Sequence, residues 1–414
     1  MIENSIDKKT EKLDINNNES NDTKTINKDM DSVLESLNNI EITLQELTDL
    51  TEGSYLLIDT RDAVSFEYGT MEGSINIPDI LDAALNEELP KNKKLVLFCM
   101  HGRDSFNQAV NLRRMGYIAF SLKDGYGAYL REVAGRNLDR SKQIEQSIMK
   151  KRNFREKLFS KFTKAIKKYE LVLPGDRIAV CISGGKDSML MAKLFQELKK
   201  QNKFPFELVF MVMDPGYNEL NRMVIENNAK TLGIPVTIFE TEIFDVVYNI
   251  EKSPCYLCAR MRRGYLYEKA KELGCNKIAL GHHYDDVIET NLMSILWGGQ
   301  VQTMMPKLHS KNFEGMELIR PMYLIREDDI KAWRDYNELH FIQCACHFTD
   351  TCSSCRDDGV SVSKRMETKK LIARLKETNP HVEANIFNSV SNVNIDALPA
   401  FKKDGIKHDF LENY

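Results

Sequence analysis

Two regions of the chain share one rhythm, in which a short apolar run is followed by a longer segment apolar along one side. Between residues 40 and 135 the runs are YLLIDTR (55–61) and KLVLFCM (94–100). Unbroken apolar runs of this length suit parallel strands buried on both faces. IPDILDAALNEEL (77–89) and FNQAVNLRRMGY (106–117) predict helices, the second with Val110 and Leu112 among its apolar positions and Gly116 as its stop. IAFSLKDGYGAYL then reads as strand and loop. From 175 to 300 the rhythm returns at greater length. RIAVCIS (177–183), ELVFMVMD (207–214), VTIFETE (236–242) and KIALGHH (277–283) read as strands, and KDSMLMAKLFQELKK (186–200) and LNRMVIENNAKTLG (220–233) as helices between them. Strands alternating with helices predict a doubly wound parallel sheet. There is no internal repeat.

Three segments depart from this rhythm. Residues 1–35 are polar and rich in Asn, Asp and Lys, the composition of a disordered tail. Residues 136–172 read as a basic helical linker. Its core carries nine Lys/Arg between 150 and 168 against one acid, Glu156. Phe154, Leu158, Phe162 and Ile166 recur every four residues, so one face is apolar. The basic face is either simply solvated or directed at a phosphate backbone. Residues 401–414 read as a second tail.

A length of 414 residues implies two or three domains. Hydrophobic content of 42% and charged content of 29% are those of a soluble chain. The net charge of −4 excludes a polycation, so any nucleic-acid contact must come from local basic patches. No apolar run reaches the ~18 residues of a membrane-spanning helix, and the N-terminus lacks the apolar core of a secretory signal. The expectation is a cytoplasmic protein with no membrane contact. Nine cysteines, at 99, 181, 255, 258, 275, 344, 346, 352 and 355, are then metal ligands or redox groups rather than a disulfide framework.

Four motifs carry chemistry. SGGKDS, Ser183 to Ser188, follows the strand 177–183 and opens a helix. Gly184 and Gly185 let backbone N–H groups approach an anion, Ser183 and Ser188 add hydroxyls, and Lys186 adds a charge, which together make a phosphate cradle. It is not a Walker A loop, because Asp187 follows Lys186 and Val180 stands where that pattern needs its first glycine. GHHYDDVIE (281–289) follows the strand 277–283, which puts Gly281, His282, His283, Asp285 and Asp286 beyond the carboxyl end of the same sheet, as it does Met213 of ELVFMVMD. Carboxylates beside a triphosphate suggest Mg²⁺; taken alone, the run could be a surface turn.

FCMHGRDS (98–105) puts Cys99 at a strand end just before a helix, where backbone N–H groups and the positive helix end favour thiolate, although a buried inert cysteine has the same local pattern. Cys255/Cys258 and Cys352/Cys355 are both CxxC pairs, a spacing shared by zinc and iron–sulfur sites. Arg260, Arg262 and Arg263 follow the first pair.

On these residues the chain resembles known families. AVCISGGKDSMLM looks like the PP-loop of ATP pyrophosphatases. The run from PCYLC through GHHYDDVIETNLMSILWGG, with MPKL (305–308) and LIRPMYLIREDDI (318–330), resembles the tRNA 2-thiocytidine synthetase (TtcA) family over about residues 150–400. LIDTRDAVSFEYGTMEGSINIP, CMHGRDS and GYGAYL resemble a rhodanese domain, with Asp104 where that loop usually has arginine. An acid there would weaken the anion nest. The fold class implied is α/β: a rhodanese-like domain (38–135), the linker (136–172), and a PP-loop, HUP-like, Rossmann-type doubly wound sheet (173–400).

The resemblance implies a tRNA sulfurtransferase that uses ATP and Mg²⁺ to adenylate the C2 oxygen of a cytidine, position 32 of the anticodon loop, before sulfur displaces AMP. In that reading Lys186, Asp187 and Asp285 act at the nucleotide and Cys99 carries persulfide. It also implies a 4Fe–4S cluster on three cysteines. Cys255 and Cys258 match two of them and Cys352 best matches the third, with Cys355 next; Cys344, Cys346 and His347 leave room for a zinc site. The partners implied are tRNA, a cysteine desulfurase or other persulfide donor, and a second copy in a homodimer. The rivals are another adenylating PP-loop enzyme, such as a lysidine synthetase, which has no need of the CxxC pairs, and a zinc-stabilised RNA-binding or sulfur-relay protein, which has no need of SGGKDS.

Overall fold

The computed structural model describes residues 40–248, 254–342 and 364–413. The expected N-terminal tail lies outside them. Two compact units separate by their internal contacts. The first runs up to Ala63 and resumes over Thr70–Ala128; the second takes Val64–Gly69 and the chain from Tyr129 onward.

The first unit is a five-stranded sheet of β1 (Glu41–Ile42), β2 (Tyr55–Asp59), β3 (Ile75–Asn76), β4 (Lys94–Phe98) and β5 (Ile118–Leu122) in the order β1-β5-β4-β2-β3. Every pairing is parallel. Parallel strands covered on both faces must be apolar throughout, and Val96, Leu97 and Phe98 of β4 are fully buried. Helix α1 (Arg103–Arg114) follows β4 after a four-residue turn and buries Ala109 and Leu112. Cys99 stands in that turn.

The second unit is built on β6 (Arg177–Ile182), β7 (Glu207–Asp214), β8 (Val236–Glu240), β9 (Lys277–Ala279), β10 (Lys307–His309) and β11 (Glu317–Ile319), ordered β10-β11-β9-β6-β7-β8. Only the edge pair β10–β11 is antiparallel. The chain runs from β6 outward through β7 to β8 and then crosses back to place β9 on the other flank of β6. The order therefore reverses between β6 and β9, and the crevice beyond their carboxyl ends is where open α/β sheets bind ligands.

Helix α3 (Lys186–Lys200) leaves this crevice buried on nearly every side. Part of its cover comes from residues expected to be a linker. Phe162 of α2 (Ser160–Tyr169) meets Phe195 edge-on at 5.1 Å, and Glu145 pairs with Lys193 at 2.9 Å. The apolar stripe of 154–166 thus serves as core of the second unit and not as a spacer, because a face carrying Phe154, Leu158 and Phe162 has more to gain from burial than from solvent. Other helices of this unit include α4 (Glu219–Thr231), α5 (Pro254–Glu272), α6 (Tyr284–Leu296), α7 (Glu327–Tyr336), α8 (Lys364–Thr378) and α9 (Val382–Ser389). The expected C-terminal tail is a hairpin, β12 (Ala400–Lys403) with β13 (Ile406–Asp409).

Candidate active site

The loop between β6 and α3 is shaped by its own hydroxyls before any ligand arrives. Ser183 donates its N–H to Ser188 Oγ at 3.1 Å, the two hydroxyls lie 3.2 Å apart, and Ser188 donates to the Gly185 carbonyl at 3.0 Å. Gly184 has φ +85°, and a Cβ there would meet Ile225 Cγ1 at 2.5 Å and Ile342 Cδ1 at 2.7 Å. Any side chain is excluded on both counts.

The loop after β9 comes against it. A Cβ on Gly281 would stand 3.1 Å from Ser188 N and 3.2 Å from the Asp187 carbonyl carbon, so the two loops pack backbone to backbone. Between them opens a cavity of about 290 Å³ lined by Ser183, Asp187, Ser188, Met213, His282 and Asp286. These expected residues, 183 to 286 in sequence, are brought together at the switch point. Cys181, Tyr217 and Arg262 line it as well.

The polar groups here are unevenly satisfied. Asp187 has one oxygen, Oδ1, buried without a hydrogen-bond partner. His282 is pushed down to about 4 by burial, so its ring is neutral at pH 7, and its Nδ1 is likewise unpartnered. Burial would raise the Asp286 carboxyl, but the His283 ring and the Arg365 guanidinium, 2.8 Å away, outweigh it and hold the group below its ordinary value. Arg262 stacks on the Phe244 ring at 5.3 Å, and its buried Nε has no partner. Among the described residues no carboxylate is ion-paired with it, whereas Arg326 and Arg365 each hold two.

Two expected residues stand differently. Asp285 is not on the cavity wall. Arg326 holds it at 3.0 Å through Nη2, and the Glu327 N–H donates to it at 2.7 Å. With both oxygens engaged it is a poor metal ligand. Lys186, expected to reach phosphate, does not line the cavity either. Its ammonium is buried between Asp187 Oδ2 at 3.1 Å and Glu327 Oε1 at 3.2 Å. Burial opposes its charge, but Asp187 and Glu327 prevail and raise its pKa. Sequence reasoning missed Arg326, Glu327 and Arg365, whose partners lie 41 to 141 residues away along the chain; acids in the first turn of α7 were the one local sign.

Of the thiolate candidates, Cys255 lies in the first turn of α5, and Cys258 in the same helix is half-buried and free. Cys258 packs in a small apolar cluster with Met213, itself a wall of the cavity. A polarisable thiol in an apolar surround beside this cavity fits an iron–sulfur ligand. Cys344, Cys346, Cys352 and Cys355 lie outside the described residues. Among the described residues no group of three metal-ligating side chains gathers. For Mg²⁺, the open oxygen of Asp187 fits and Asp285 does not.

In the first unit Cys99 Sγ accepts the Gly102 N–H at 3.1 Å and lies 3.5 Å from Ser105 Oγ, which is itself 2.9 Å from Ser121 Oγ. The Tyr126 and Gly127 N–H groups close the loop onto the Cys99 and Met100 carbonyls. Asp104 is exposed and takes no part in these contacts, so the acid expected to weaken the nest faces water.

A PP-loop domain family matches residues 154–347, and a rhodanese-like domain family matches 43–132. A curated relative from Anaeromyxobacter dehalogenans (strain 2CP-C), named tRNA-cytidine(32) 2-sulfurtransferase, is 35% identical over 240 residues, which is 57% of this chain and 79% of the relative. One of the same name from Syntrophotalea carbinolica is 34% identical over 245 residues, 58% of this chain and 91% of its own. Among solved structures, the U34-tRNA thiolase NcsA from Methanococcus maripaludis with its 4Fe–4S cluster covers 57% of this chain and 80% of its own at 22% identity, with a TM-score of 0.45.

Proposed function

The chain belongs to the tRNA-cytidine(32) 2-sulfurtransferase family, with a rhodanese-like domain ahead of its PP-loop domain, and from that premise we propose that it replaces the C2 oxygen of a tRNA cytidine, at position 32, by sulfur at the cost of ATP. The observation that carries the reading is helix α5, which holds Cys258 beside the wall of the nucleotide cavity and Arg262 in that wall. A helix with both functions suits an enzyme that must bring sulfur to an activated base.

The steps follow from the groups in place. Backbone N–H groups of the loop Gly184 to Ser188, other than that of Lys186, which donates to Tyr68 Oη at 3.3 Å, and the hydroxyls of Ser183 and Ser188 hold the β- and γ-phosphates. Arg262, in the wall of the same cavity, stabilises charge at the α-phosphate. Asp187 Oδ1, which has no hydrogen-bond partner, would hold Mg²⁺. The cytidine is splayed from the anticodon loop so that its O2 reaches the α-phosphorus. The O2–Pα bond forms, the bond from Pα to the bridging oxygen breaks, and pyrophosphate leaves. A sulfur nucleophile then adds at C2, and AMP departs with the original oxygen. Neutral His282 can accept a hydrogen bond at Nδ1 without repelling Arg262.

Cys255, Cys258 and Cys352 would hold a 4Fe–4S cluster, which when bound supplies an iron site for sulfide. Cys99 would carry persulfide from a cysteine desulfurase or similar donor, with the Gly102 N–H suited to an anionic sulfur; two equivalents of a reducing thiol would release the outer sulfur as sulfide, joining as a disulfide and returning Cys99 as thiolate. Among the described residues no helix is long and apolar enough to cross a membrane; a cytoplasmic homodimer belongs to the same reading.

The test is nucleoside mass spectrometry of bulk tRNA from a strain lacking the gene. Loss of 2-thiocytidine, restored by the wild-type gene but not by Cys258→Ser, is expected. Unchanged 2-thiocytidine would overturn the reading, and the nucleoside that did change would identify the true product.

A further inference from the structure

The loop cation Lys186 does not line the cavity it was expected to serve. Its side chain is only 4% exposed; Glu327, at the start of α7, pairs with the ammonium at 3.2 Å, and Asp187, the next residue of the loop, at 3.1 Å. Withdrawing the ammonium to reach a phosphate would break two pairs made in a poorly solvated place, with Glu327 at 3.2 Å and Asp187 at 3.1 Å. The cavity has other anion donors in its backbone N–H groups and Arg262, so binding does not require that movement.

Glu327 leads somewhere specific. Its second oxygen takes the Lys369 ammonium of α8 at 2.8 Å. Its own N–H donates to Asp285 Oδ2, and Arg326, one residue earlier, grips the same carboxylate. Asp285 lies in the first turn of α6, beside the cavity-lining Asp286. The path therefore runs from the loop after β6, through Lys186 and Glu327, to the loop after β9. It ties together electrostatically the two loops that Gly281 joins sterically.

We propose that Lys186 is a positioning residue: with Glu327 it fixes the start of α6, and so Asp286 and His282, against the phosphate loop, without itself binding phosphate. This rests on the reading of the cavity as the nucleotide site.

The experiment measures thiolation kinetics of the full-length protein and, by calorimetry, the affinity for a non-hydrolysable ATP analogue with Mg²⁺. The variants are Lys186→Met, Glu327→Gln, Lys186→Arg and the double change Lys186→Met/Glu327→Met. Positioning expects each charge-removing single change to lower kcat by about 10-fold or more while analogue affinity stays within about 3-fold. The double variant should be no worse than the worse single, since both act on one pair, and Lys186→Arg should retain most activity. If Lys186→Met fails to fold, the double variant, which removes both members of the Lys186–Glu327 pair together, carries the same comparison. Loss of analogue affinity by about 10-fold in Lys186→Met, with Glu327→Gln unchanged or tighter, would overturn the proposal in favour of a direct phosphate contact. Failure of the wild-type protein to bind the analogue would instead overturn the reading of the cavity, and this proposal with it.

Discussion

Gly184 shows how little latitude a single position has in this site. Its left-handed φ costs an L-residue roughly 1–2 kcal/mol, and the methyl of an alanine would press into Ile225 and Ile342, which adds roughly 1–3 kcal/mol of overpacking. Gly184→Ala should therefore lower Tm by several degrees and weaken ATP-analogue binding together, since the same backbone presents the N–H groups. Trimming Ile225 to alanine in that variant should relieve the packing strain and restore part of the binding. Binding that survives Gly184→Ala at full strength would mean the loop is not the phosphate cradle. Local chemistry of this kind was open to sequence reading: two glycines between serines after an apolar strand have few other uses. The destination of Lys186 was not open, because a lysine in a glycine-rich loop carries no mark of which way it points. Its partner Glu327 is 141 residues away along the chain, and only the fold makes them neighbours.

At the level of elements, α8 is held by charge. Arg365 reaches Asp286 and Glu289 of α6, Lys369 reaches Glu327 of α7, and Lys376 reaches Glu383 of α9 at 3.0 Å. Burial alone would raise the Glu383 carboxyl, but hydrogen bonds from Arg326 and Lys376 hold it below its ordinary 4.5. A carboxyl depressed on folding contributes stability that is complete above its unfolded value and is lost as pH falls through the folded one. Glu383→Gln should thus cost about 1–3 kcal/mol at pH 7, and the Tm gap to wild type should narrow as pH falls below the ordinary 4.5. A gap that does not narrow with falling pH would assign the effect to packing. Helix α2 makes the opposite use of charge. Phe162, Ala165 and Ile166 are buried while Lys164, Lys167 and Lys168 are exposed, so the helix is core on one side and a basic surface on the other. Replacing the three lysines with glutamate should weaken tRNA binding uniformly across sequences and flatten its dependence on log salt by about one unit per lost phosphate contact, with ATP-analogue affinity unchanged. An unaltered salt slope would remove this face from the tRNA path. The terminal hairpin was legible too, yet passed unread. Asp404 and Gly405 both have positive φ, the turn that an Asp-Gly pair favours between two strands.

The whole molecule joins two sheets that are each recognisable from alternating apolar runs, because strands buried on both faces cannot hide their composition. What joins them functionally follows from covalent linkage. If Cys99 loads the sulfur used at the second unit, a shared chain gives it an effective concentration of the order of millimolar, against micromolar for a free carrier. Cys99→Ala should then abolish thiolation driven by a protein persulfide donor while leaving ATP-analogue binding intact. Mixing it with Asp187→Asn, which keeps Cys99 but loses an expected nucleotide contact, distinguishes relay along one chain from exchange between chains. Relay within one chain expects the mixture at micromolar concentration to recover only about a thousandth of wild-type rate, rising in proportion to protein added. Recovery of a large, concentration-independent fraction would show that Cys99 of one copy serves the nucleotide site of another within a stable oligomer. Full activity of Cys99→Ala alone, with the donor as sole sulfur source, would remove the rhodanese-like domain from the sulfur path altogether, leaving Cys258 and its helix to take sulfur directly.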